Sequence, residues 1–369
     1  MKIALITEYF PKSEKAEISG GVEARAFYVG KYLAEGNDVT VYTTLEKGVG
    51  GEDIIFGMKV RRIKPSVEYS QSSSLLARLQ FIRNAAKEVK HTDFDIADGY
   101  NFISYPVAWN SRAKKKVATY HDVWIGEWIK NIGLKGAFGE ILERYTLGRA
   151  WDRYIAVSEY TKGKLLKAGI SPEKIAVVHN GVEYDRIEQI KSRKYDKPTV
   201  CAVSRLVNYK RIDELLAAMK LVEGKILDAQ LKIVGSGPEE RNLKDLSEKL
   251  GLKEKVEFLG YVRDHDEVLR TINSSHAFCL PSTVEGFGIS IIEAMALKIP
   301  YVASDIPAII EATHSGAGGL LHTPGDAQDL AAKLIQVLEG KVQANADFIQ
   351  KEYDWKKLAE KVEEVYKEV

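Results

Sequence analysis

A strand-then-helix alternation that runs through the chain twice constrains the fold more than any single motif. In the first pass KIALITEYF reads as a buried strand, and VEARAFYVGKYLAEG repeats Val22, Ala26, Val29 and Leu33 at helical spacing. DVTVYTT is a second strand, KVRRI a third, LLARLQFIRNAAKEVK an amphipathic helix and FDIADGY the next strand. KKVATYHD is a strand ending at His121, and a long helical, aromatic region follows from Trp124 to Arg149. YIAVSEY, TKGKLLKAG and KIAVVHNGV close the pass as strand, helix and strand. The stretch 184–198 is polar, lacks an apolar stripe and reads as a linker. The pattern then restarts with the strands TVCAVSRL, LKIVGSG, KVEFLGYV, AFCLPS and YVAS, separated by helices such as IDELLAAMKLV and HDEVLRTIN. Such alternation requires an α/β fold of mostly parallel sheets with helices on both faces. It divides the chain into an N-terminal domain, 1–183, and a C-terminal domain, 199–352. The segment DWKKLAEKVEEVY is a terminal helix whose destination the pattern leaves open.

The bulk numbers agree. A chain of 369 residues is long enough for two domains with separate cores. An apolar fraction of 45% with 28% charged residues is that of a soluble globular protein, and a net charge of +1 gives no case for nucleic acid. Cys201 and Cys279 both sit in strand-like apolar runs, which points to core packing and a reducing cytoplasm. The apolar run IALI ends at Thr7-Glu8, too short for a signal peptide, and no stretch reaches the roughly 18 apolar residues of a membrane span. The histidines are scattered, with no HExxH and no Cys/His cluster, so no metal is expected.

The chemistry concentrates in PSTVEGFGISIIEAMALKIPYVAS, residues 281–304. Gly286 and Gly288 turn the chain from a strand into a helix, whose N-terminal N–H groups suit a phosphate. Glu285 and Glu293 flank that turn, about 12 Å apart if the intervening chain were fully helical. That exceeds the roughly 5–9.5 Å of a glycosidase carboxylate pair, so each glutamate is better suited to gripping hydroxyls on either side of a bound diphosphate, one of a sugar and one of a ribose. Arg205 and Lys210, in SRLVNYKRIDELL, stand between a strand and a helix, where cations meet ligands or remain a solvated basic loop. Ser19-Gly20-Gly21 makes a similar strand-to-helix turn near the start. Gly235-Ser236-Gly237 lacks the third glycine of a dinucleotide fingerprint, because Glu240 stands there, and is left as a strand-end loop facing a ligand. His121 ends an apolar strand beside Asp122 and divides evenly between a core histidine and a ligand contact. Asp93-Phe94-Asp95 and Asp264-His265-Asp266 match the Asp-x-Asp of metal-dependent sugar transferases, but so short a pattern arises by chance, and the second caps a helix. Trp124, Ile125, Trp128, Ile129, Ile132, Leu134 and Phe138, with Lys130 and Lys135, make 124–138 a domain-packing surface, a wall of an acceptor cleft or a helix meeting lipid.

Taken in order, GGVE, TYHD, AVSEYTKGKL, VVHNGV, SRLVNYK, LKIVGSGP, VEFLGYV, PSTVEGFGISIIEAMA, YVASDIPAIIE and HTPGDAQDLA resemble the retaining family 4 glycosyltransferases of the GT-B class. The resemblance covers nearly the whole chain and implies two Rossmann-like domains with parallel sheets facing across a cleft. The donor is then expected against the C-terminal domain, with the acceptor on the N-terminal side and the final helix, 353–369, packing back on the N-terminal domain. Residue by residue, it implies that Glu285 binds donor-sugar hydroxyls and Glu293 the ribose. Backbone N–H groups near Phe287, Gly288 and Ile289 would hold the diphosphate, and Arg205 and Lys210 would neutralise the leaving phosphates. Gly20 and Gly21 would lie near the β-phosphate, His121 would face sugar and acceptor, and Tyr261 would meet the base. The sequence departs from the family at Lys298, where glycine usually follows the helix, and at Arg211, where glycine often follows the lysine.

The reading is a metal-independent hexosyltransferase that retains anomeric configuration and needs no cofactor. A nucleotide-diphosphate sugar is its donor, and a saccharide, lipid-linked or small-molecule hydroxyl its acceptor. It is placed in the cytoplasm, with 124–138 the candidate for peripheral contact at the inner membrane face, and its oligomeric state is left open. The competing readings are a nucleotide-sugar epimerase on a similar scaffold and a catalytically silent sugar-nucleotide-binding protein.

Overall fold

The computed structural model describes residues 1–15, 17–18, 20–67, 75–345 and 347–369, and Ser19 lies outside them. The chain forms two compact units: unit 1 comprises 1–180 and 355–369, and unit 2 comprises 181–354.

The strands of unit 1 are β1 (Lys2–Ile6), β2 (Asp38–Glu46), β3 (Glu52–Ile55), β4 (Met58–Val67), β5 (Ile96–Gly99), β6 (Lys115–Tyr120), β7 (Arg153–Ala156) and β8 (Ile175–Val177). Among the described residues they form one eight-stranded sheet in the order β3-β4-β2-β1-β5-β6-β7-β8. Neighbours are parallel except for the β3–β4 hairpin. Ile3, Ala4, Leu5 and Ile6 are all buried, as expected of a central parallel strand covered on both faces. The core on one face carries an aromatic cluster: Tyr105 stacks on Tyr120 with ring centroids 4.7 Å apart, and Trp151 packs against both Tyr105 and Tyr154. The helix Trp355–Lys367 also belongs to this unit. It buries Trp355, Leu358, Ala359, Val362, Val365 and Tyr366, each large apolar side chain contributing about 1.5–3 kcal/mol. Trp355 stacks on Tyr28 at 5.7 Å.

Unit 2 carries β9 (Thr199–Val203), β10 (Gln230–Val234), β11 (Val256–Gly260), β12 (Ala277–Leu280), β13 (Tyr301–Ser304) and β14 (Gly319–His322). They lie in the order β11-β10-β9-β12-β13-β14, all parallel. Cys201 and Cys279 are fully buried free thiols on adjacent strands, Cys201 being pushed up to about 12 by burial.

Three segments differ from the sequence expectation. The hairpin β3–β4 turns at Phe56 and Gly57, both at positive φ, so a Phe-Gly pair does the work that Asn-Gly usually signals. The aromatic region 124–149 is two helices, Trp128–Ile132 and Gly136–Leu147, broken at Gly133 with φ +71°. Gly139 lets the second helix pass the Trp128 ring, where a Cβ would stand 2.5 Å from the indole. The stretch 184–198 begins with a helix, Tyr184–Gln189, that buries Tyr184 and Ile187 within unit 2. Two apolar residues three apart anchor so short a helix without forming a visible stripe.

Candidate functional site

In an open parallel sheet, ligands bind beyond the C-terminal ends of the strands where the strand order reverses. In unit 2 that point lies between β9 and β12, since β9 is flanked by β10 on one side and β12 on the other. The loops that leave these two strands carry Arg205 with Lys210, and Glu285 with Phe287 and Gly288. They are tied together by Thr283, whose N–H donates to the Tyr209 carbonyl at 2.8 Å.

Between the loops, Lys210 Nζ donates to Glu285 Oε1 at 2.6 Å, with side chains only 16% and 10% exposed. A partly desolvated pair like this is held by geometry, and removing one partner leaves the other charge under-solvated. Arg205 is exposed, and its side chain has no ion pair or hydrogen bond among the described residues. The turn ends at Gly288, whose left-handed φ of +92° caps the helix Ile289–Ala296. The left-handed φ is what calls for glycine; a Cβ would stand 2.9 Å from Ile309 Cδ1, the end of a side chain that can shift. Phe287 is buried edge-on against Tyr353 at 5.2 Å, which anchors the loop while its backbone stays at the helix entrance.

Glu293 is buried on the Ile289–Ala296 helix among Ile291, Ile292 and Ala294. Its partner is His265, whose Nε2 lies 2.9 Å from Oε1. His265 opens the helix His265–Ser274, which Asp264 caps by accepting from the Asp266 N–H at 3.0 Å. Burial pulls the His265 pKa down, but the Glu293 charge and hydrogen bond outweigh it and the net shift is upward. Asp266 is held in turn by Arg186 at 2.7 Å.

Gly235 and Tyr261 lie at the ends of the next two strands, β10 and β11, where the Gly235 N–H donates to the Gly260 carbonyl at 2.8 Å. Gly235, with φ +128°, has a local reason to be glycine: a Cβ would sit 1.9 Å from the Ser204 carbonyl oxygen. Tyr261 is 42% exposed. Of the two Asp-x-Asp matches, Asp95 pairs with Lys114 at 2.8 Å before β5, and Asp264 is the helix cap already described.

Gly20, Gly21 and His121 belong to unit 1. Gly20 is extended and precedes the helix Gly21–Leu33, with open space where a Cβ would stand. His121 follows β6. Burial and the nearby Arg25 charge depress its pKa to about 3, so the imidazole is neutral, and its shielded Nε2 has no partner among the described residues. Around it lies a set of buried polar groups that sequence reasoning did not single out. Arg25 is fully buried and its Nη1 donates to Val178 O, His179 O and Asn180 Oδ1 at 2.9, 2.8 and 3.0 Å. Asp98, also fully buried, accepts from Thr119 Oγ1 and Tyr366 OH, both at 2.7 Å, while burial pushes its carboxyl up to about 6. The available signal was a charge in an apolar stripe, since Arg25 falls three residues after Val22 in the helical register.

In unit 2, then, the loops at the β9/β12 switch point bring together Lys210, Glu285, Phe287, Gly288 and Ile289, with Arg205 on the first loop and Glu293 one turn into the helix. The missed residue there is His265.

Comparison with known proteins follows the same division. A model described as "Glycosyl transferases group 1" matches residues 183–355, and one described as "Glycosyltransferase Family 4" matches 19–186. The chain is 32% identical over 209 residues to a putative colanic acid biosynthesis glycosyltransferase, WcaL, of Salmonella typhimurium, covering 53% of this chain and 51% of that relative. It thus spans about half the length of WcaL. It is 28% identical over 293 residues to a lipopolysaccharide 1,6-galactosyltransferase of Salmonella typhimurium, covering 77% and 78%. Among solved structures, a sucrose-phosphate synthase from Thermosynechococcus elongatus superposes with a TM-score of 0.84 at 20% identity, covering 100% of this chain and 98% of the other. Anabaena HepE, solved in complex with UDP and glucose, gives 0.77 at 20% identity over the whole of both chains. These likenesses establish the fold, two Rossmann-like units of the GT-B class.

Proposed function

The chain belongs to the family 4 glycosyltransferases, and on that premise we propose that it transfers a sugar, with retention, from a nucleoside-diphosphate sugar to a hydroxyl of a saccharide, lipid-linked or small-molecule acceptor. The observation that carries this reading is the Lys210–Glu285 pair at the β9/β12 switch point, beside the Gly288-capped helix.

The donor diphosphate lies against the N-terminal N–H groups of the Ile289–Ala296 helix. Lys210 exchanges its carboxylate partner for phosphate oxygen, which frees Glu285 to accept hydrogen bonds from hydroxyls of the donor sugar. Glu293 accepts from the ribose. When the bond between the anomeric carbon and the phosphate oxygen breaks, negative charge grows on the leaving diphosphate, where Lys210, Arg205 and the helix N-terminus stabilise it. The acceptor oxygen bonds to the same face of the anomeric carbon, and its proton passes to the departing phosphate oxygen. Glu285 is occupied by hydroxyls of the donor sugar when the bond breaks, which favours this front-face path over a covalent sugar–enzyme intermediate. Two cations and a helix dipole supply the positive charge that a metal would otherwise provide. The HepE complexes with UDP favour a uridine nucleotide as the first donor to test.

The deciding experiment is turnover of a panel of nucleoside-diphosphate sugars with and without acceptor, in excess chelator. Acceptor-dependent product with retained configuration is expected. Complete loss restored by manganese or magnesium would refute metal independence. Nucleotide release from the sugar diphosphate without acceptor, leaving an epimerised sugar, would favour the epimerase reading.

A further part of the proposal is peripheral contact with an anionic bilayer. Trp124 and Trp128 of the 124–138 segment are half-buried and pack on each other, but Ile129 and Leu134 are 50% and 87% exposed. Lys130, Arg83 and Lys87 are exposed cations suited to anionic headgroups. Leu75, Leu76 and Leu79 add exposed apolar surface on the helix Leu75–Glu88, whose Arg78 lies over the same Phe102 ring that packs on Trp128. No helix among the described residues is long and apolar enough to cross a membrane. Sedimentation with vesicles containing phosphatidylglycerol, but not with pure phosphatidylcholine, is expected; equal recovery in the supernatant of both would refute it.

A further inference from the structure

We propose that His265 is a positioning residue that fixes the Glu293 carboxylate for the ribose of the donor; this rests on the reading of Glu293 given above. The geometry is specific. Glu293 is a carboxylate on the buried face of an apolar helix, and His265 Nε2 meets it at Oε1, 2.9 Å away. Oε2 has no partner among the described residues, so one oxygen is pinned and the other is left to accept. A carboxylate with free torsion would sample several orientations, and ordering it on binding would reduce affinity.

His265 is itself held in place. It is the first residue of its helix, directly after the cap Asp264, so its backbone is fixed by the capping bond. The charged groups facing it are Glu293 on the Ile289–Ala296 helix, Arg186 on the Tyr184–Gln189 helix and Asp266 on its own helix. Arg186 is committed to Asp266 at 2.7 Å, which leaves Glu293 as the carboxylate available to the imidazole. The histidine orients the group that contacts the ligand, much as an outer-shell carboxylate orients a metal-binding histidine, with the roles of the two groups exchanged.

The test uses the full chain with UDP, GDP and ADP and the 2′-deoxy form of each, by calorimetric titration. In wild type the ribonucleotide is expected to bind more tightly than its deoxy form. His265→Ala should weaken ribonucleotide binding about tenfold, the loss of one charge-assisted bond, and shrink the ribose-over-deoxyribose preference. The donor KM should rise while kcat at saturating donor stays near wild type, and His265→Gln, which keeps a donor, should recover part of the loss. In the Glu293→Gln background, His265→Ala should add little. The preference should also fall as pH rises through the raised His265 pKa, and His265→Gln should lack that step.

Unchanged ribose preference in His265→Ala, while Glu293→Gln abolishes it, overturns the positioning role and leaves the reading of Glu293 intact. Unchanged preference in Glu293→Gln, or no binding of any of the three diphosphates by wild type, overturns the reading itself. If His265→Ala does not fold, His265→Gln and the wild-type pH series decide the question, and a flat ratio across pH in wild type counts against the role.

Discussion

The C-terminal edges of the two sheets treat their polar groups differently. In unit 2 the shielded charged residues are partnered with each other, Lys210 with Glu285 and His265 with Glu293, and Arg205 stands exposed. The equivalent edge of unit 1 also holds ion pairs, Lys164 with Asp122 and Arg78 with Glu8, but beside them lie shielded polar atoms, Arg25 Nε and Nη2, Tyr100 OH and His121 Nε2, that have no partner among the described residues. A pair of opposite charges near the surface can trade one partner for a ligand oxygen at little cost. A desolvated neutral group cannot be recharged cheaply and therefore serves as fixed lining. The difference predicts that removing the site charges of unit 2 acts chiefly on donor binding and turnover, and that removing the buried polar groups of unit 1 acts chiefly on stability.

The largest effect should come from the exchangeable cations. Lys210→Ala and Arg205→Ala should each lower kcat by on the order of 10²–10³-fold with the fold intact, the melting temperature falling in Lys210→Ala, where Glu285 loses its partner, and hardly moving in Arg205→Ala. The double variant should lose less than the product, because both act on one developing charge. Steady-state kinetics beside a thermal melt decides this, and near-wild-type kcat in both single variants would erase the contrast.

Next is the buried carboxyl of unit 1. Asp98 has a folded pKa of about 6, raised above its ordinary value by burial. A carboxyl with a raised folded pKa holds its proton longer in the native state, so the native state binds more protons between about pH 4 and 6 and stability falls as pH rises through that window. The loss is on the order of 2–3 kcal/mol, and Asp98→Asn should flatten it in denaturant titrations at several pH values. Tyr366→Phe removes the hydroxyl donor at 2.7 Å and should cost about 1–2 kcal/mol at pH 7, leaving donor KM alone.

The smallest effect is backbone relief. Lys298 and Arg211 both adopt left-handed φ, +57° and +52°. Lys298→Gly should stabilise by about 0.5 kcal/mol, the strain removed less the entropy glycine adds to the unfolded chain. Arg211→Gly should not, because the Arg211 side chain bonds Asp213 at 3.1 Å and lies 3.5 Å from Glu214. Chemical denaturation of the two variants separates the cases.

These two residues also show what the sequence could convey. The alternation of strands and helices follows from periodicity, and Gly288, Glu285 and Lys210 are conspicuous because turn chemistry and charge mark the end of a strand. Lys298 and Arg211 stand out against the family pattern for a physical reason: the chain keeps the backbone conformation that glycine accommodates while placing another residue in it. What periodicity could not give is partnership across sequence distance. Nothing local to His265 indicates Glu293, and nothing near Asp98 indicates Tyr366, because these contacts exist only once separate elements pack. The Phe56-Gly57 hairpin was hidden by unusual turn residues, and β14 by the glycines that surround Gly319.

The discontinuity of unit 1 bears on how the molecule is made. Its sheet is encoded by residues 1–180, yet the helix that covers Asp98 and stacks Trp355 on Tyr28 is encoded after residue 354. During translation the first half of the chain must therefore wait, its groove uncovered, while the whole of unit 2 emerges. Unit 2 can close in the meantime, since its two ends are clasped by the Val182 N–H donating to the Tyr353 carbonyl at 2.8 Å. Assembly is then nested rather than sequential: the inserted unit finishes first, and the unit that began the chain is the last to be sealed.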